Sequence, residues 1–125
     1  MRAFNIPLHL SIANSLYTQT ALNGGVSINS NFEEPQTGYL VSIKDGLVFD
    51  NVSAVNVHEL SAWIKDNLNE TKDTYFGGWK DSESGKVYFD LSVNVFDQKK
   101  AIDLGNAKDQ IAIWDVANQT EIRIK

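Results

Sequence analysis

The chain has 125 residues, a net charge of −5 from 16 acidic and 11 basic side chains, and a hydrophobic fraction of 42%. That length supports one domain, residues 1–125, with a core that needs no covalent staple. Cysteine is absent, which excludes disulfides, thiol catalysis, iron–sulfur clusters and thiolate zinc sites together.

The charge narrows the partners as well. Phosphate neutralisation needs a basic stripe, whereas lysines and acids alternate here, so no nucleic-acid partner is expected. The acidic excess reads as solubility rather than DNA mimicry. No stretch approaches the roughly 18 apolar residues of a transmembrane helix, and no membrane partner is expected. The opening apolar run is broken by His9, Ser11 and Asn14. It lacks the continuous apolar centre of a signal peptide, so a cytoplasmic chain is expected.

In chain order, residues 1–37 read as an N-terminal β region. Ile6, Leu8, Leu10 and Ile12 alternate with smaller or polar neighbours, the period of a half-buried strand, which leaves His9 facing solvent. Asn23-Gly24-Gly25 offers the positive φ angles of a tight hairpin turn. Val26, Ile28 and Phe32 continue the alternation, and Pro35 and Gly38 bound a loop.

Residues 38–74 read as a first ββα unit. A strand, a turn at Lys44-Asp45-Gly46 and a second strand through Phe49-Asp50 lead to a helix capped by Asn56, with Glu59 completing a capping box. Val57, Leu60, Ile64 and Leu68 share one face of that helix.

Residues 75–110 repeat the pattern. Tyr75 answers Tyr39, Lys80-Asp81 answers Lys44-Asp45, Phe89-Asp90 answers Phe49-Asp50, and Val93-Asn94-Val95 answers Val55-Asn56-Val57. Asp97 caps the second helix. A spacing of roughly 36 to 40 residues is that of a repeated supersecondary unit. Residues 111–125 close as a hairpin around Asn118-Gln119. The expected fold class is α+β: a mostly antiparallel sheet with two helices on one face, built as tandem ββα units after the N-terminal β-hairpin region.

The most motif-like stretch is Phe76 to Asp90, with two glycine sites and a Gly-Lys pair. A phosphate loop needs Gly, four residues, then Gly-Lys-Ser/Thr between strand and helix. Here Lys80 stands where that first Gly belongs, Val87 follows Lys86, and a strand follows rather than a helix. Asp81 to Gly85 therefore reads as a hairpin turn. Gly77 and Gly78 are odd for a strand, where glycine marks a bulge or a close approach. Crowding by Trp79 or Trp114 explains them structurally, and a ligand or partner passing over the strand explains them functionally.

Other chemistry is sparse. Asp90, Asp97 and Asp103 are raw material for acid–base or metal work, but they read more simply as a strand end, a helix cap and a solvated helix face. His58 has no Gly-x-Ser-x-Gly nucleophile to serve. Neither histidine has metal-ligand spacing, and neither a metal nor a cofactor is expected. Trp63, Trp79 and Trp114 are core candidates first, although large aromatics beside glycines also suit a pocket or an interface anchor.

The string GGWKDSESGKVYFDLSVNVFDQKKAIDLGNAKDQIAIWD, with GGVSINSNFEEPQTGYLVS upstream, resembles a family of small uncharacterised proteins common in bacteriophages, especially those of actinobacteria. The likeness spans roughly residues 22 to 122 and departs from the family at Asp109, where asparagine is frequent. It implies a phage origin and the cytoplasm of the host cell, not a mechanism. On that basis the expected role is a non-enzymatic accessory protein that binds, and on one reading inhibits, a host protein such as a defence component. The alternative is a protein that binds or sequesters a nucleotide-like small molecule. Ligand- or partner-binding would fall to Gly77, Gly78, Trp79, Tyr88, Asp90 and Trp114, with no catalytic residue named. Exposed strand edges also allow a homodimer.

Overall fold

A computed structural model describes residues 6–68 and 73–125. Among the described residues it is α+β, with three helices and a six-stranded, wholly antiparallel, curled sheet. The order of elements is α1 (Leu8–Asn23), β1 (Gly25–Ile28), β2 (Tyr39–Phe49), α2 (Val57–Asn67), β3 (Thr74–Lys80), β4 (Val87–Val95), α3 (Gln98–Ala107), β5 (Ala112–Asp115) and β6 (Thr120–Arg123). A 3₁₀ turn at Val52–Ala54 leads into α2. Across the sheet the strands run β1-β3-β4-β2-β5-β6.

The largest departure from expectation is α1, which occupies the segment read as strands. Its buried residues are Ile12, Ala13, Leu16 and Thr20, a helical spacing. The signal is blurred because Leu8 and Leu22 face solvent while the polar Thr20 is inside. Asn23-Gly24 is accordingly no hairpin. Gly24, at φ 84°, ends the helix in the left-handed conformation, and its N–H donates to the Thr20 carbonyl. His9 does not face solvent from a strand. It is half-buried on α1, with Nδ1 hydrogen-bonded to Ser61 Oγ of α2 at 2.6 Å.

The repeat is also not one of equivalent structures. Residues 39–49 form one strand, not two, and Lys44-Asp45-Gly46 lies within it. There the register against β4 shifts twice, between Ser42 and Lys44 and between Asp45 and Val48. Such bulges bend a strand and sharpen its twist, which suits a curled sheet. Residues 75–110 do run strand, strand, helix. Yet Asn56 caps α2, its side chain accepting from the Glu59 N–H, while its counterpart Asn94 lies buried inside β4. Likewise Asp50 follows its strand, whereas Asp90 is mid-strand.

Phe32 does not continue the alternation: β1 ends at Ile28, and Phe32 lies beyond it at φ 64°, exposed. Three other local expectations hold. Asp97 caps α3 by accepting from the Lys100 N–H. Asp81 closes the β3–β4 turn, accepting from the Glu83 and Ser84 N–H groups and the Ser84 hydroxyl. Those bonds, led by the Ser84 hydroxyl, hold its carboxyl below the ordinary range. The β5–β6 hairpin turns at Asn118-Gln119, where Asp115 accepts from the Asn118 backbone and side chain.

All three helices cover one face of the sheet. Along β4, Val87, Phe89 and Leu91 enter a large cluster with Ile12, Leu16, Leu60 and Ile64 of α1 and α2. Further along the same face, Val93 and Val95 join a smaller cluster centred on Val41, Ala101 and Ile113 under α3. Alternate residues of a strand share a face, so Tyr88, Asp90, Ser92 and Asn94 all point the other way. No helix among the described residues is long and apolar enough to cross a membrane.

Candidate functional site: the open face of the sheet

The face away from the helices carries a cleft of about 930 Å³. Strand register places its side chains in rows. One row runs Gly25, Trp79, Tyr88, Val48, and the next runs Ser27, Gly77, Asp90, Asp45. Beyond Ser42 and Ser92, which pair with each other, comes a row of Asn94, Leu40, Trp114 and Glu121. The β1–β2 loop closes that end, with Glu34 and Pro35 on the cleft wall and the Thr37 carbonyl accepting from Asn94 Nδ2 at 2.9 Å.

Five of the six residues singled out from the sequence present themselves to this face: Gly77, Trp79, Tyr88, Asp90 and Trp114. The sixth, Gly78, has its missing side chain aimed at the core. A Cβ there would collide with Thr20 Oγ1 and come within 3.1 Å of the Phe89 ring. So Gly78 is a packing glycine, and the crowding agent is Thr20 with Phe89 rather than a tryptophan. Gly77 is different, because a Cβ on it would lie 2.5 Å from Asp90 Oδ1. The Asp90 carboxylate therefore folds across the neighbouring strand, over the space that glycine vacates.

Asp90 is the electrostatic centre of the face and not the soluble strand end expected of it. Burial pushes its carboxyl up from the ordinary value, and the nearby Asp45 carboxylate pushes in the same direction. Ser42 lies close enough to ease the anion. Its hydroxyl is nevertheless shut from water and reaches no partner at full hydrogen-bond geometry. A half-desolvated carboxylate beside a second one is an arrangement that a cation or a donor would relieve.

The tryptophans divide by position. Trp63 packs into the core, edge-on to Phe76 with ring centroids 5.8 Å apart. Trp79 is 55% exposed and lies tilted against Tyr88 at 5.2 Å, while Trp114 is 38% exposed at the far end of the cleft. Trp79 and Trp114 belong to one face but to separate rows, with Asp90 and Ser42 between them. Asp103, by contrast, pairs with Lys99 on the exposed side of α3 at 3.2 Å, and Asp97 is occupied as a cap.

Sequence reasoning missed Asp45, Ser27 and Ser42. By sequence Asp45 reads as a turn residue, and only the cross-strand register sets it opposite Asp90. Among the described residues, no cluster of three or more His, Asp or Glu side chains could hold a metal ion. No protein-family model, curated protein or solved structure matches the chain.

Proposed function

We propose that this chain is a non-enzymatic binding protein of bacteriophage origin that captures a host protein on the open face of its sheet and thereby blocks it. The observation behind this reading is the cleft itself, where two exposed tryptophans and a half-buried carboxylate share a face that none of the three described helices covers. Large aromatics around a desolvated polar centre are the usual carriers of binding energy at protein interfaces. The phage origin, the host-cell cytoplasm and the inhibition of a defence component rest on the family resemblance alone. The tandem-repeat origin of residues 38–74 and 75–110 rests on matched residues rather than on matched elements.

The test is comparative capture from a lysate of actinobacterial cells. One bait is the wild-type chain and the other the double variant Trp79→Ala, Trp114→Ala. Removing two such anchors is expected to lower retention of a true partner by about thirtyfold or more. If both baits fold and no protein distinguishes them, the reading falls.

A second reading, a sequestered small molecule, is favoured by the Ser42 hydroxyl, shut from water beside Asp90 and short of full hydrogen-bond geometry. Native mass spectrometry of the purified chain would then show an added mass of a few hundred daltons, lost on denaturation. A clean apo mass would remove a tightly held ligand. The expected nucleotide-like ligand fits this lining poorly, because its charged groups are acidic and would repel phosphate.

A further inference from the structure

The charge of the cleft is one-sided. Its charged lining residues are Glu34, Asp45, Asp90 and Glu121, and among the described residues that line it there is no Lys, Arg or His. Such a surface attracts cations and repels anions, and the low-dielectric wall around Asp90 strengthens both effects. Gly77 opens the space into which Asp90 folds. Trp79, diagonal to Asp90 across β3 and β4, shows more than half of its surface to solvent and is propped by Tyr88. An aromatic face beside a carboxylate offers a guanidinium both things it binds well, a π surface and a two-oxygen acceptor.

We propose that the cleft receives an arginine side chain of the partner protein, with the guanidinium paired to Asp90 and Asp45 and laid against the ring of Trp79. This deepens the protein-binding reading and rests on it for the source of the arginine. The rise in the Asp90 pKa agrees, since a carboxylate already stripped of water beside a like charge gains most from an arriving cation. A second copy of the chain fits less well. A two-fold contact through this face would bring the same four acids against themselves.

The experiment uses the full chain and a defined probe, the capped tripeptide acetyl-Gly-Arg-Gly-amide, with a twin carrying uncharged citrulline in place of arginine. Binding is followed by NMR through the Trp79 indole N–H and the backbone amides of Gly77 and Asp90. A single side chain is expected to give a dissociation constant of about 1 mM, weaker at high salt. The double variant Asp45→Asn, Asp90→Asn should weaken it about tenfold, and the citrulline twin should bind about as poorly. Retained chemical-shift dispersion shows that the variant folds.

Equal binding of the citrulline twin overturns the assignment, as does unchanged affinity in the double variant. So does a dimer, seen by sedimentation without probe, that Trp79→Ala dissolves. If the arginine probe fails while lysate capture still depends on Trp79 and Trp114, the arginine assignment falls and protein binding stands. If the probe binds but capture finds no partner, the site stands and the host-protein reading falls.

Discussion

At the scale of the residue, Asp90 concentrates what is distinctive about the molecule. Its carboxylate is folded over Gly77, crowded by Asp45 and only partly eased by Ser42. A carboxyl raised above its unfolded value makes its full contribution to stability when protonated, below the unfolded value of about 3.9. That contribution is lost as pH climbs through the folded value. Asp90→Asn, which cannot ionise, is therefore expected to be more stable than the wild type at pH 7. The advantage should shrink as pH falls into the carboxylate range. Urea melts of both proteins at pH 7 and pH 4 check this, and an advantage that grows on acidification would contradict the burial argument. A loss of binding together with a gain of stability is what a residue kept for recognition shows.

At the scale of the element, the helices differ in how far sequence revealed them. α2 and α3 carry polar caps at Asn56 and Asp97, and both were legible from those caps and their spacing. α1 has Pro7 at its cap position and makes no side-chain cap bond, and its exposed leucines hide its inner face. Its alternating start was compatible with either period, and only packing against α2 and β3 selects the helix. In α3 the close approach to β5 runs through Gly105, where a Cβ would lie 2.6 Å from Ile124 Cδ1 and 3.1 Å from Ile113 Cγ2. Gly105→Ala gains about 1 kcal/mol of helix propensity. Ile124 Cδ1 ends a flexible side chain and can swing aside, but Ile113 is buried, and overpacking against it costs on the order of 1–3 kcal/mol, about twice the gain. The expected net effect is a loss of about 1 kcal/mol, measured by denaturant melts. A stabilised variant would mean that α3 can ride up on the sheet.

At the scale of the whole molecule, β4 is the hub. It pairs with β3 on one side and β2 on the other, and its inward residues serve both hydrophobic clusters. β6 is a four-residue edge strand whose residues are mostly exposed. Native-state hydrogen exchange is expected to find the β4 amides opening only with global unfolding and the β6 amides exchanging at least about a hundredfold faster. Uniform protection across both strands would show that the two clusters unfold as one unit through the edge.

What the sequence by itself determined are the features that depend on near neighbours. These are the α+β class, the antiparallel pairing of β3 with β4 and of β5 with β6, the turn at Asp81–Gly85, and the caps of α2 and α3. Each follows from turn chemistry, capping or periodicity within a dozen or so residues. Tertiary structure decided the rest. Whether 39–49 is a hairpin or one bulged strand depends on its partner β4, and whether Leu8 to Asn23 is helix or strand depends on the surface it meets. All six candidate site residues were chosen from sequence alone, but the common face that five of them share, and the place of Asp45 among them, exist only through register. A strand's side chains alternate regardless of sequence, and which of them stand side by side is settled only when separate strands pair.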